Sequence, residues 1–416
     1  MQICRQHLSK CEQAIVTLSQ TQFLCILLEH GKMKQFINNA SILSITGSDS
    51  VGGSGIQADI KTISALGGYA ATAITSVTVQ NTYGIHEVFD LPAEIIGKQI
   101  ETIMEDLRPN SVKVGLLRNS QTIKTISRLL DKYEPKYVVF EPGIVSTHGS
   151  ILTDKDLLSD LRKDIFPRSS LVSLKFEAAT YITGKEIATV DDAVNVAKEL
   201  LKDGSKAILL QGGRFGDHAL TDILLEKGKD KPTFYTTLGF IDRNSHGASG
   251  VFSAAIATYF SQGLNLQDAV KQAREYVNRL LIYSLDSSFG HGSPLLNHAE
   301  AKDVTPHILE LYNAFMKEIV QHFKSNNDVS FYADKLNVTT RYLAQITKKV
   351  AGKSPKEIIK EQLIREIEIQ LSSSSKNIQE IAYEYGFTSQ AQFTKFFKQM
   401  NGSSPTQYRN KFSKSR

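Results

Sequence analysis

Cysteine is nearly missing from this 416-residue chain: Cys4, Cys11 and Cys25 all fall within the first 33 residues, and none follows. The body of the protein therefore has no disulfide framework, no cysteine-ligated zinc and no thiol nucleophile. Tryptophan is absent, and no uninterrupted apolar run approaches the roughly 20 residues of a membrane helix. The segment Phe23 to Leu28 is too short even for a signal-peptide core. These absences lead us to expect a cytoplasmic chain with no membrane partner. With 41% hydrophobic and 22% charged residues, 27 glycines and 10 prolines, disorder and fibre are excluded as well. The length leaves room for two or three cores. Met33 stands just ahead of the first strand-like segment, so residues 1–33 read as an N-terminal extension without an assigned function.

Charge is divided along the chain. Residues 317–416 contain 17 Lys and Arg against 9 Asp and Glu, a net of +8, while residues 1–316 have 31 against 34, a net of −3. A basic terminal unit beside a slightly acidic larger one suits a small part that meets a polyanion and a large part that handles something else; a solvated basic surface is the plainer alternative.

Residues 34–300 alternate short β-branched runs with helical patterns. The runs are Ile42 to Thr46, Ala71 to Val79, Ser111 to Leu116, Tyr137 to Phe140 and Ala207 to Leu210. Helical periodicity covers Ile56 to Leu66, Ala93 to Asp106, Ser120 to Lys132, Val190 to Asp203 and Ser249 to Gln262. This order predicts a three-layer α/β domain with a mostly parallel sheet and ligands at the carboxyl ends of its strands. The first such end, Ser44 to Gly55, is a glycine-rich turn running into a helix. Glycine permits close backbone approach, and a helix N-terminus offers amides and a positive dipole end. The turn is neither a Walker loop nor GxGxxG, and alone it could be only a turn.

The longer string decides. Gly47-Ser-Asp-Ser-Val-Gly-Gly-Ser-Gly55, followed by Val79 to Gly84, Lys113 to Leu117, Gln211-Gly-Gly213, Asn244 to Gly247 and Gly290-His-Gly292, resembles the hydroxymethylpyrimidine and phosphomethylpyrimidine kinases of thiamine synthesis, members of the ribokinase-like superfamily. The resemblance implies a pyrimidine held by the positions of Gly47, Asp59, Thr78, Gln80 and Leu116. A side-chain amide such as Gln80 can donate and accept at once, which suits an aminopyrimidine edge.

The phosphoryl-transfer half departs from that pattern. Where the family has Gly-Thr-Gly-Cys at a helix N-terminus, with the cysteine as general base, this chain has Gly247, Ala248, Ser249 and Gly250. Gly250 cannot take a proton, a loss on the order of a hundred- to ten-thousand-fold in rate. Gln211 stands in place of a phosphate-facing lysine, and Glu141 in place of an aspartate. The Asn-Leu-x-Glu metal motif appears as Ser173 to Ala178, with Glu177 kept and the asparagine position on or near Leu174. Gly247, Ala248, Ser249, Gly250, Glu177 and Glu141 remain candidates for anion or nucleotide binding, with no catalytic residue and no metal ligand assigned. The alternative is a variant enzyme in which His246, Asp242 or Glu141 supplies the base and Mg-ATP is the cofactor.

Residues 329–416 predict a smaller all-α domain with two helix-turn-helix units, Phe331 to Gly352 and Ile378 to Gly402. Ala333 and Ala382 let helices cross closely, and Asn337 and Gly386 suit a left-handed turn. Leu343, Ile346 and Val350, then Phe393, Phe396, Phe397 and Met400, should pack inward. Thr340, Arg341, Gln345, Lys348, Ser389, Gln390, Gln392, Lys395 and Lys398 should face a DNA groove, with Lys348, Lys349, Lys395 and Lys398 on phosphates. The pattern Ile381-Ala-x-x-x-Gly-Phe387, with Phe393, Phe397, Gly402, Pro405 and Tyr408-Arg409, is similar to AraC/XylS-type regulators. Residues 301–328 hold an apolar-periodic helix, Thr305 to Lys324, that either couples the domains or opens the second one. Ser372 to Ser375 reads as the loop between the two units.

Together these features favour a DNA-binding transcription regulator whose sensor is a degenerate kinase domain for a pyrimidine or pyridoxine-like ligand. The alternative is a bifunctional protein that also phosphorylates that ligand. A homodimer is implied by resemblance only.

Overall fold

The computed structural model describes residues 40–144, 153, 155–215, 219–238, 246–284, 289–298, 306–324, 326–374 and 376–413. The N-terminal extension, Asp242, Asn244 and Ser245 lie outside the described residues.

Among the described residues nine strands form one sheet in the order β3-β2-β1-β4-β5-β6-β7-β8-β9: β1 Ser41–Ser48, β2 Tyr69–Asn81, β3 Gly84–Asp90, β4 Ser111–Val114, β5 Tyr137–Phe140, β6 Leu171–Lys175, β7 Ala207–Gly213, β8 Ala219–Glu226 and β9 Thr233–Leu238. The six from β2 to β7 run parallel, β3 and β8 run opposite to them, and β9 pairs antiparallel with β8. Central parallel strands are covered on both faces, which is why Ile42, Leu43 and Ile45 on β1 and Ile208 to Leu210 on β7 are all buried.

One face carries α1 Gly55–Ala65, α7 Ala248–Ser261 and α8 Leu266–Tyr283; the other carries α2 Ala93–Asp106, α3 Ser120–Tyr133, the short α4 Lys155–Asp160, α5 Phe176–Thr183 and α6 Val190–Leu201. Helix α7 is apolar nearly all round, with Val251, Phe252, Ala254, Ala255, Ile256 and Ala257 buried, because sheet and α8 enclose it. The sequence periodicity placed the strands and helices it assigned within two residues, with β4 stopping at Val114 rather than Leu116, except that β7 runs on to Gly213, three residues past the expected Leu210. The sequence reading did not assign β3, β6, β8, β9, α4, α5 or α8; β3 is largely exposed, and β6 and β8 are buried runs of only a few apolar residues, too short to be told from a helix segment by periodicity.

The C-terminal region is helical: α9 Pro306–His322, α10 Val329–Lys335, α11 Thr340–Ala351, α12 Pro355–Ser373, α13 Ile378–Glu384, α14 Gln390–Asn401 and α15 Pro405–Ser413. Tyr312, Phe315, Ile319 and Phe323 share one core with Tyr332, Leu343 and Ile346, so α9 packs with the helix-turn-helix units. It also approaches β9, and α11 lies against α8. Ala333 and Ala382 are buried at the crossings, and Asn337 and Gly386 take positive φ values of 52° and 76°. Two expectations need correction. The units are joined by the 19-residue α12, whose last turn holds Ser372 and Ser373, rather than by a serine loop. Met400 is 37% exposed, because Phe393 and Phe397 already fill the inward face of α14.

Candidate functional site

The glycine-rich turn after β1 is organised by its own aspartate. Asp49 accepts hydrogen bonds from the Val51, Gly53 and Ser54 amides at 3.0, 3.1 and 2.7 Å and from the Ser54 hydroxyl at 2.9 Å. Amides that a bound anion could use are thus already taken. Burial pushes the Asp49 carboxyl upward, but the hydrogen bond and charge of His246, with the Ser54 hydrogen bonds, outweigh it and leave it below its ordinary range. The turn packs backbone to backbone on the Gly247 turn: a β-carbon on Gly247, whose φ is +82°, would run into the Gly53 carbonyl.

Beneath this junction a row of buried polar side chains crosses the carboxyl ends of the strands. Ser44 Oγ donates to Asp59 Oδ2 at 2.5 Å, and Lys113 Nζ donates to the same oxygen at 2.9 Å. Asp59 and Lys113 are 0% and 1% exposed. Burial raises the Asp59 carboxyl against the opposing Lys113 charge and the Ser44 hydrogen bond. Among the described residues its Oδ1 has no partner, and neither does the buried Ser76 hydroxyl beside Gly47. Such orphaned buried oxygens mark a place where a ligand can complete the hydrogen bonding.

Next in the row, burial pushes the Glu141 carboxyl up, opposed by Lys113, Lys175 and a hydrogen bond with Ser249. Gln211 is buried with both ends of its amide occupied: Nε2 donates to Ser173 Oγ at 2.6 Å, and Oε1 accepts from Ser249 Oγ at 3.2 Å. It sits at an irregularity in the β7–β8 register, where the Gly212 amide donates to Asp222 at 2.9 Å; Asp222 in turn pairs with Arg274 on α8. Helix α7 starts at Gly247 without a side-chain cap.

The expected pyrimidine residues do converge. Gly47, Thr78, Gln80 and Leu116 lie at the carboxyl ends of β1, β2 and β4, while Asp59, on α1, is engaged with Ser44 and Lys113. Thr78 Oγ1 lies 3.3 Å from the Gln80 amide, which is also 2.7 Å from His246 Nε2. Leu116 is held at both backbone groups, by Thr46 and Thr75. Of the anion candidates, Gly247, Ala248, Ser249, Gly250 and Glu141 meet at the α7 turn, whereas Glu177 is exposed in the first turn of α5. Leu174 points into the core, so Ser173 is the β6 side chain that reaches the row. The sequence reading missed Lys113 as the partner of Asp59, although a lysine inside the apolar strand Ser-Val-Lys-Val signals a buried counter-charge. It also missed Asp49 as the keystone of its turn.

On the helical region, Thr340, Arg341, Gln345, Lys348 and Lys349 are exposed on α11, and Gln390, Gln392, Lys395 and Lys398 on α14. Two of these side chains, Gln392 and Lys348, and the half-buried Ser389 are engaged within the protein. Ser389 caps α14 by accepting from the Gln392 amide, Gln392 Oε1 accepts from the Thr388 amide and hydroxyl at 3.1 and 2.8 Å, and Lys348 Nζ donates to the Gly352 carbonyl at 2.6 Å.

Residues 49–295 match the profile of phosphomethylpyrimidine kinase. The chain belongs to the phosphomethylpyrimidine kinase family. It is 33% identical to the hydroxymethylpyrimidine/phosphomethylpyrimidine kinase of Bacillus subtilis over 251 residues, which cover 60% of this chain and 92% of that one. It is 33% identical over 266 residues to the thiamine biosynthesis bifunctional protein ThiED of Geobacter sulfurreducens, covering 64% of this chain and only 53% of that longer one. A crystal structure of phosphomethylpyrimidine kinase from Clostridium difficile superposes with a TM-score of 0.51 at 38% identity, over 57% of this chain and 97% of that one. Bacillus subtilis pyridoxal kinase, solved as an ADP complex, gives 0.54 at 25% identity, over 62% and 96%. Unlike a stand-alone phosphomethylpyrimidine kinase, this family member continues into residues 332–411, which match a helix-turn-helix domain of AraC type. That domain implies DNA as a partner, and the kinase fold implies a small-molecule ligand. Among the described residues, no helix is long and apolar enough to cross a membrane.

Proposed function

We propose that this protein is a DNA-binding transcription regulator whose kinase-like domain senses a small heterocycle, a pyrimidine of thiamine metabolism or a related vitamer, without phosphorylating it. The observation that carries this reading is Gly250. The position where the family pattern has its general base has no side chain here, and among the described residues the atom within 4 Å of where its β-carbon would stand is Lys113 Nζ. That ammonium is committed to Asp59 and cannot accept a proton.

The neighbouring phosphate side supports the same reading. Gln211 offers no charge to a transferring phosphoryl group, and its amide is engaged by Ser173 and Ser249. This donor set does not fit magnesium triphosphate. The heterocycle side keeps what recognition needs: Asp59 Oδ1 and Ser76 Oγ lack partners, and Gln80 retains hydrogen-bonding capacity. The position of α11 against α8 gives ligand-dependent changes in the large domain a route to the first helix-turn-helix unit. Such a route has an effect only where the ligand binds two conformations unequally.

The test is calorimetry with hydroxymethylpyrimidine, run beside an ADP-formation assay and a DNA-binding assay with and without the ligand. Binding without ADP formation, together with a ligand-dependent DNA affinity, is expected. ADP formation at a rate typical of the kinases would favour the bifunctional alternative.

A further inference from the structure

The ring of His246 is turned toward Asp49 and Gln80. Its Nε2 lies 2.9 Å from Asp49 Oδ2 and 2.7 Å from the Gln80 amide. Asp49 already accepts three amides and a hydroxyl, an environment that keeps it ionised and therefore acceptor-only. The shared Nε2 must then carry the hydrogen, and a protonated ring nitrogen cannot accept from an amide N–H. The group of Gln80 that faces it has to be the oxygen.

The other end of the amide agrees. Thr78 has one hydroxyl hydrogen, and the Ser48 carbonyl at 2.8 Å is better placed to receive it than Gln80 Oε1 at 3.3 Å. Its remaining lone pairs call for a donor, which is the Gln80 NH2 group. Amide oxygen and nitrogen exchange places by a half-turn of the last torsion with no other atom moved. Two fixed acceptors, Asp49 and the Ser48 carbonyl, thus dictate one orientation through His246 and Thr78.

We propose that His246 is a specificity-determining residue: backed by Asp49, it locks the Gln80 amide in one orientation, so that the pocket accepts heterocycles presenting an amine donor beside a ring-nitrogen acceptor and rejects those with the reversed pattern. A glutamine free to turn would serve both patterns about equally; a locked one leaves the wrong ligand with mispaired buried groups. The inference rests on the reading of this pocket as a heterocycle site.

The experiment compares, by calorimetry on the full chain, hydroxymethylpyrimidine with the analogue in which oxygen replaces its exocyclic amine, reversing both donor and acceptor. The wild type is expected to prefer the amine by about tenfold or more, one well-made buried hydrogen bond. His246→Phe should bring the ratio close to one, mainly by admitting the oxo analogue, and His246→Gln, which can still donate to both Asp49 and Gln80, should restore much of it. Melting curves establish that each variant is folded. A wild type that binds both equally, or a folded His246→Phe variant that keeps the full preference, overturns the lock while leaving the sensor reading intact. A wild type that binds neither overturns both.

Discussion

The ammonium of Lys113 stands 4.0 Å from where a β-carbon on Gly250 would lie. The space vacated by a side chain at this position is therefore open, and it is bordered by a cation. A cysteine introduced there should fit without moving backbone, and the lysine would favour its thiolate. The variant Gly250→Cys with Gln211→Lys is expected to gain ADP-forming activity over the wild type when supplied with pyrimidine and Mg-ATP. Gly250→Cys alone should gain less, because Gln211 would still tie Ser249 to Ser173. A coupled spectrophotometric assay reads the difference.

Lys113 and Asp59 should also be energetically inseparable. Removing one partner of a buried pair strands the other, at a cost of about 3–5 kcal/mol. Lys113→Met is therefore expected to lower denaturant stability severely, and the double variant with Asp59→Asn should be more stable than the summed single effects. Urea unfolding of the four proteins gives the coupling directly.

At the helix-turn-helix face, Lys398→Ala should weaken all DNA sites alike and reduce the salt slope by about 1, whereas Gln390→Ala should change sequence preference. Gln392 differs from the sequence expectation because its side chain closes the turn at Thr388. Gln392→Ala is accordingly expected to cost about 1 kcal/mol of stability, seen in thermal melts, besides any change in binding.

Acid stability has a defined sign at His298. Burial first, then the charge of Lys61, lowers its pKa from 6.5 to about 4, and Tyr276 OH lies 3.0 Å from its Nδ1. The folded state therefore holds the neutral ring. The stability this contributes is fully present above pH 6.5 and is lost progressively as the pH falls toward 4. Melting temperature measured across that window should drop more steeply for the wild type than for His298→Gln.

Most of the architecture could be read from the chain because the parallel strands and their helices carry strong, distinct periods. Edge strands such as β3 did not announce themselves, since Gly84 to Asp90 is largely exposed and has no apolar face to repeat. At the site, the glycine turns and the substituted Gly250 and Gln211 were legible as departures from a motif. What they had become was not. That Gln211 would bond Ser173 and Ser249, residues 38 positions away on either side, depends on strands brought together only by the sheet. The role of Gln392 was hidden for the opposite reason: a local backbone turn captured a side chain whose type suited base reading equally well.

The most direct measurement is a paired titration of the unmodified protein with hydroxymethylpyrimidine in saturating Mg-ATP, following heat of binding and ADP release in the same samples. Saturable binding with ADP release no faster than the ligand-free background is the expected result. Stoichiometric conversion of the pyrimidine to its phosphate over many turnovers would contradict the account.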